Sequence, residues 1–387
     1  MKILHVGPIE RSHAAGGPNQ SIRGLAASLA DIGLDIGLLP SVPLPADTLN
    51  ENIPGVYLFR GPRRRHLNPW FISRDWVSRI EGEFGTPDIV NFHSTYVPFQ
   101  IALAHRCRQL GWSYIITPRG GMTHLAQSNK RPKKILGNLA FFHSYVRHAA
   151  AVHALSAGEA RQIREQFKVK QLFIVPNAVP DELFEAPKRL LPTDLGEFKD
   201  NCSLMLGFVG RIDVYIKGLD LLLEALGRVN SQLKGAVIKL IVVGPFATRT
   251  DERHFSQITK RLGLENIVKL AGPKYEQDKW RHFLTFDVCA QTSRTEGMPM
   301  AVLEAMALGR PCLVTPGTNV GDVVREGGGW VCEPESKAIA ETIKSIYDKR
   351  DTLKALGQQS REIVQTRFTR HKIAQQLSEE YAKIIGQ

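Results

Sequence analysis

The sequence predicts an α/β protein made of two doubly wound domains in series. Three observations carry this: a length of 387 residues, short apolar runs that alternate with helical patterns from end to end, and one proline-rich break near the middle. A chain this long exceeds one ordinary core, so two domains follow from typical domain sizes. Alternating apolar runs and helices are how parallel strands joined by crossover helices read.

In the first half, Lys2–Gly7 reads as a buried strand, Pro18–Ile32 as helix and Asp88–Phe92 as strand. Pro98–Leu110 follows as helix, Ser113–Thr117 as strand, Lys133–Ala149 as helix, Ala151–Leu155 as strand and Ala157–Phe167 as helix. Between Val175 and Asn201 stand Pro176, Pro180, Pro187 and Pro192 among charged residues. Proline disfavours helix interiors and central strands, so this stretch reads as the linker. The pattern restarts with strand Leu204–Val209, helix Gly218–Asn230, strand Val237–Val243, helix His254–Leu262 and strand Ile267–Ala271. Helix Glu276–Phe283, strand Phe286–Ala290, helix Met300–Leu308 and strand Pro311–Thr315 complete it, and Thr369–Ile385 is a last amphipathic helix. The expected domains are 1–185 and 186–368, with 369–387 crossing back to the first. Such folds bind ligands beyond the carboxyl ends of their strands, which makes a cleft faced by both domains the expected site.

Composition narrows the function. The five cysteines are widely spaced, without a Cys-x-x-Cys pair or zinc-like Cys/His spacing, and fit a reducing compartment. The apolar run at the start stops after six residues, too short for a secretion signal, and the chain reads as cytoplasmic. A formal net charge of +12 points to anionic partners: sugar diphosphates, acidic lipid headgroups or nucleic acid.

Two constellations carry chemistry. After the strand ending at Val209 comes Gly210-Arg211-Ile212-Asp213-Val214-Tyr215-Ile216-Lys217-Gly218, and then a helix. A glycine turn, two cations and a helix N-terminus at a strand's carboxyl end suit a diphosphate, because backbone N–H groups, helix dipole and side-chain charge all favour an anion. Read alone, the same loop is also an ordinary surface turn with two solvated cations. The second is Thr295-Glu296-Gly297-Met298-Pro299-Met300-Ala301-Val302-Leu303-Glu304, again between strand and helix. Glu296 falls in the loop and Glu304 about a turn and a half inside the helix. A carboxylate accepts from two vicinal hydroxyls, which suits one Glu to a sugar ring and the other to a ribose. Helix-end acidity is the alternative source of such residues. Glu304 stands among apolar neighbours, however, where an unpaired carboxylate would be costly.

In this order and in the second of two βα domains, these residues resemble the retaining nucleotide-sugar glycosyltransferases of family 4, which have the GT-B fold of two Rossmann-like domains. The resemblance implies that Arg211 and Lys217 hold the donor diphosphate, Glu296 the donor hexose and Glu304 the ribose, with Gly297, Met298 and Pro299 lining the sugar. It extends more loosely to the first half. Gly16-Gly17 before the first helix resemble the family's glycine-rich loop, and His93, a candidate catalytic residue at a strand's carboxyl end, matches the second His of a His-x-His pattern in which Asn91 replaces the first. Arg119-Gly120-Gly121-Met122 resembles an Arg-Gly element of some bacterial members, and Pro176–Pro180 stands at the family's hinge.

The resemblance further implies transfer of a hexose from a UDP- or GDP-sugar to a glycan or lipid-linked glycan, in cell-surface polysaccharide or lipopolysaccharide synthesis, by front-face displacement with retention. No cofactor is expected. No metal is expected either, since two cations serve the diphosphate and no Asp-x-Asp triplet is present. Arg60–His66 beside Pro69–Ile72, and Lys130–Lys134, are basic stretches next to apolar residues that would suit peripheral docking on an anionic membrane. Starch- or sucrose-type synthases share the fold and stay open as alternatives. A dehydrogenase lacks its Gly-x-Gly-x-x-Gly, a phosphorylase its pyridoxal-phosphate lysine context, and nucleic acid, though favoured by the charge, lacks a recognised motif.

Overall fold

The computed structural model describes residues 1–9, 17–41, 53–60, 74–128 and 137–386. The expectations on Gly16, on the basic stretch beyond Arg60 with Pro69–Ile72, and on Lys130–Lys134 lie outside these residues. The chain divides into two compact units, Met1–Ala178 with Arg370–Gln387, and Val179–Thr369.

The first unit is built on strands β1 Lys2–Gly7, β2 Asp35–Pro40, β3 Val56–Leu58, β4 Ile89–His93, β5 Ser113–Thr117, β6 Ala151–Ala154 and β7 Leu172–Ile174. They form one parallel sheet in the order β3-β2-β1-β4-β5-β6-β7. Successive side chains alternate between faces. Leu4, Val6 and Ile116 thus enter one buried cluster, and Ile3 and Ile115 enter another. Burial on both faces is why these strands read as continuous apolar runs. Its helices are α1 Gly17–Asp31, α2 Arg74–Glu83, α3 Pro98–Leu110, α4 His124–Ser128, α5 His143–His148 and α6 Ala157–Gln166. Helix α3 starts on Pro98 and stops at Gly111, whose left-handed φ of 73° lets the chain close back on Cys107 and Arg108. The single helix expected over Lys133–Ala149 is, within the described residues, a π-helical turn Asn138–Phe142 running into α5.

The C-terminal helix Arg370–Ile385 buries Ile373, Leu377, Tyr381 and Ile384 in the cluster that also holds Ile22, Leu25 and Leu29 of α1. Its Tyr381 hydroxyl accepts a 2.9 Å bond from the Asn91 amide, and the Asn91 oxygen accepts one of 2.8 Å from Thr117.

The second unit has strands β8 Leu204–Val209, β9 Ile238–Val243, β10 Val268–Gly272, β11 Val288–Gln291, β12 Cys312–Val314 and β13 Gly329–Val331, parallel in the order β10-β9-β8-β11-β12-β13. Helices α7 Glu182–Arg189, α8 Leu219–Gln232, α9 Arg249–Arg261, α10 Glu276–Phe283, α11 Met300–Ala307, α12 Gly321–Arg325, α13 Ser336–Asp348 and α14 Leu353–Arg367 complete it. Helix α7 lies inside the stretch read as linker and carries Pro187. Burial of Leu183, Phe184 and Ala186 outweighs the lost hydrogen bond, and the Arg361 guanidinium of α14 donates to the Phe184 carbonyl. Val179 N–H donates to the Phe368 carbonyl at 2.9 Å. The division therefore falls after Ala178, ahead of the boundary read at 185.

Tyr381→Phe would strand the buried Asn91 amide. We expect a loss of about 1–3 kcal/mol from the first unit, measured as a lower urea midpoint at unchanged slope.

Candidate active site

In the second sheet the chain runs from β8 outward through β9 and β10, then returns to the other side of β8 for β11, β12 and β13. The loops leaving neighbouring strands β8 and β11 therefore open side by side at their carboxyl ends, the switch-point arrangement of doubly wound sheets. Those are the two loops singled out by sequence. Gln291, last in β11, ties them at the root by donating to the Val209 carbonyl at 2.9 Å.

Each loop is held by its own residues and by the other. Asp213 accepts from the Ile216 N–H at 3.0 Å, and Asp251 of α9 accepts from the Val214 N–H at 3.0 Å. Gly218 begins α8 with a φ of 64°, and a Cβ there would stand 1.9 Å from the Thr292 carbonyl oxygen. Glycine alone allows that approach. The Thr292 hydroxyl donates to the Gly218 carbonyl at 2.8 Å, and the Arg294 N–H to that of Ile216 at 2.9 Å. The Arg294 guanidinium grips Asp220 of α8 with two 2.8 Å bonds and lies 4.3 Å over the Tyr215 ring. The planar fork matches the carboxylate, and that pairing raises the guanidinium's pKa further.

This lock brings Lys217 to Glu296. The ammonium and the carboxylate form an ion pair with side chains 18% and 15% exposed. Ser293 donates to the same carboxylate oxygen at 3.1 Å, and Asn319 donates to the Glu296 carbonyl at 2.6 Å. Arg211 is exposed on its loop, whereas Gly297, Met298 and Pro299 are buried where the chain enters α11. Glu304, inside α11, is 4% exposed. Its carboxylate is not unpaired: Lys279 of α10 places its ammonium 2.8 Å from Oε1. Burial of Glu304 is thus met by a protein cation and does not by itself demand a ligand. Sequence reasoning missed Lys279, Arg294, Asp220 and Asn319. A Lys in the first turn of a helix, at the end the helix dipole disfavours for a cation, was the available signal for the first of these.

In the first unit the switch point lies between β1 and β4, which supply His5 and His93. Arg119, just past β5 with a left-handed φ of 51°, donates from Nε to His93 Nδ1 at 3.2 Å. The acceptor nitrogen carries no proton, so Nε2 does and donates to His5 Nδ1 at 2.9 Å. Arg119 also donates to Ser21 at 3.1 Å and to Asn177 at 3.2 Å. The following Gly120 N–H donates to buried Glu159 at 2.5 Å. Both ring nitrogens of His93, which is itself fully buried, are therefore engaged, in a network whose Arg119 and Ser21 are partly exposed. Gly17 lies exposed at the start of α1. Burial, with Arg119 beside it, holds His93 well below the usual imidazole range; burial likewise pushes His5 down to about 3 and His153 to about 4. Burial lowers Arg119 to about 10, and it stays charged at neutral pH.

These histidines are neutral when folded, whereas an unfolded histidine protonates near pH 6.5. The unfolded chain gains protons first as pH falls, so the stability present above about pH 6.5 is lost towards pH 4, by up to about 1.4 kcal/mol per pH unit for each histidine. Urea unfolding of the first unit between pH 7 and 5 should show this slope, and His153→Gln should flatten it. A pH-independent midpoint in the native chain would contradict the neutral network.

Residues 15–183 match the family described as Glycosyltransferase Family 4, and residues 197–363 match Glycosyl transferases group 1. The D-inositol 3-phosphate glycosyltransferase of Geodermatophilus obscurus is 28% identical over 381 residues, covering 91% of this chain and 82% of that protein. The capsular polysaccharide biosynthesis glycosyltransferase CapM of Staphylococcus aureus is 29% identical over 185 residues, 47% of this chain and 46% of CapM. The crystal structure of Anabaena HepE with UDP and glucose superposes with a TM-score of 0.73 at 20% identity, covering 99% of this chain and 100% of that one, and shares the fold. The chain therefore carries the two domains of a GT-B glycosyltransferase, family 4 in its first half and group 1 in its second.

Proposed function

We propose that this chain is a retaining hexosyltransferase that moves a sugar from a UDP- or GDP-sugar to a glycan or lipid-linked glycan during cell-surface polysaccharide assembly. The observation that carries the reading is the juxtaposition of the Gly210–Gly218 loop with the Glu296 loop, joined by the Lys217–Glu296 pair at the β8/β11 switch point. The UDP and glucose bound by HepE and the capsular role of CapM support the donor and pathway parts of it.

In this reading the donor diphosphate lies on the Gly210–Gly218 loop between Arg211, Lys217 and the start of α8. Lys217 then serves two anions, Glu296 and the β-phosphate. Glu296 accepts from hexose hydroxyls, Glu304 from the ribose, and the backbone of Gly297, Met298 and Pro299 lines the sugar. As the bond from the anomeric carbon to the β-phosphate oxygen breaks, negative charge grows on the phosphate. Arg211 and Lys217 stabilise it, a contribution of about 3–4 kcal/mol for a well-placed donor. The acceptor hydroxyl attacks from the same face and gives its proton to the leaving phosphate, so neither Glu acts as acid or base. No metal or other cofactor enters this scheme. Arg119 and Gly17 face acceptor chemistry in the first unit. His93, neutral and bonded through both nitrogens, orients Arg119 and takes no proton. Work at the inner membrane face, by a cytoplasmic enzyme bound peripherally, would suit a lipid-linked acceptor.

Lys217→Met is expected to lower turnover about 100- to 1000-fold with the fold intact by circular dichroism. Wild-type turnover in that variant with the true substrates would remove the donor-site assignment. Thermal stabilisation by UDP or GDP, but not by an oligonucleotide, is the companion expectation, and NMR of the product should show the donor's anomeric configuration retained.

A further inference from the structure

Among the described residues of the second unit, the side chains of four ion pairs are well exposed: 68% and 46% for Lys188–Glu185, 63% and 39% for Arg261–Glu224, 59% and 80% for Arg325–Asp322, 47% and 49% for Arg367–Glu326. Three are sheltered. Arg294–Asp220 locks the two loops, Lys217–Glu296 joins them, and Lys279–Glu304 is the most buried, at 12% and 5%. Exposed pairs contribute little, and a sheltered pair carries a desolvation cost that stability alone seldom returns. Lys279 comes from α10, outside both sequence constellations, and sits in a first turn where the dipole opposes a cation. There it makes a 2.8 Å contact with Glu304 Oε1.

We propose that Lys279 is a specificity-determining positioning residue for the nucleoside end of the donor. This rests on the reading that Glu304 binds the ribose. An ionised carboxylate offers about four acceptor positions. Lys279 takes one on Oε1 and fixes the plane of the carboxylate on α11. Positions remain for two vicinal hydroxyls, whose bonds to a charged acceptor are the strong kind. Without the ammonium the buried carboxylate loses its compensating charge and its orientation, and the hydroxyls lose their acceptor. Lys279 thus acts through Glu304, making the site depend on a vicinal diol and leaving recognition of the diphosphate untouched.

The test measures binding of UDP and GDP, their 2′,3′-dideoxy analogues and inorganic pyrophosphate to the full chain and to Lys279→Met, which keeps the volume and removes the charge. The native chain is expected to prefer the ribose form over the dideoxy form at least about tenfold, the scale of a hydrogen bond to a charged group. In Lys279→Met the preference should collapse to within about threefold, with pyrophosphate affinity unchanged, and turnover should show a raised donor KM at nearly constant kcat. Lys279→Gln, which keeps a donor toward Glu304, serves the same comparison if Lys279→Met does not fold. If either variant keeps the full preference, or loses pyrophosphate affinity as strongly as nucleotide affinity, the proposal is overturned. If the native chain binds no nucleoside diphosphate, the donor-site reading itself falls, a separate result.

Discussion

The close approach of Gly218 to the Thr292 carbonyl is the constraint on which the second unit's chemistry depends. Two loops that begin 82 residues apart, at Val209 and Gln291, touch because their strands are neighbours at the switch point and because no side chain stands between them. Everything else follows from that contact. The Thr292 hydroxyl, the Arg294 fork on Asp220 and the Thr315 bond to the Ser293 carbonyl at 2.6 Å each fix one more degree of freedom. Lys217 and Glu296 then meet without either having to search for the other. Preorganisation of this kind is what an anion-stabilising site requires, since dipoles and charges already in place cost no reorganisation when charge develops.

The first unit solves a different problem. A buried histidine pair beside an arginine would be untenable if the imidazoles were charged, and the network removes the difficulty by making them neutral. Arg119 donates to one nitrogen of His93, which decides the tautomer and passes a single direction of donation on to His5. The same unit is closed by the C-terminal helix, whose Tyr381 takes the amide of Asn91. Where the resemblance has a histidine paired with His93, this chain has an amide that serves the helix. The departure from the family pattern at Asn91 is thus a structural tie.

Much of the fold was legible because doubly wound sheets write their strands as apolar runs. β1, β5, β8 and helices α3 and α10 have the bounds the pattern predicts. Several elements escaped notice, including the long helices α13 and α14; others were short or chemically ambiguous. β2 spells Asp-Ile-Gly-Leu-Leu-Pro, β3 and β13 are three residues long, and α7 hides behind Pro187, which local rules count against a helix. For β2 and α7, burial against the rest of the unit outweighed propensity, whereas β3 and β13 are only partly buried and too short to show a period.

By itself the sequence determined the order of strands and helices, the glycine turns at strand ends and the residue types at the two loops, because all of these are local or periodic properties. Only the tertiary structure decided that Lys279 neutralises Glu304, that Arg294 clasps Asp220 and that His93 is neutral and doubly bonded. The partners in these pairs stand 25, 74 and 88 residues apart in the chain. A buried charge takes whatever counter-charge the packing delivers, and the packing is set by sheet order, which no local pattern encodes.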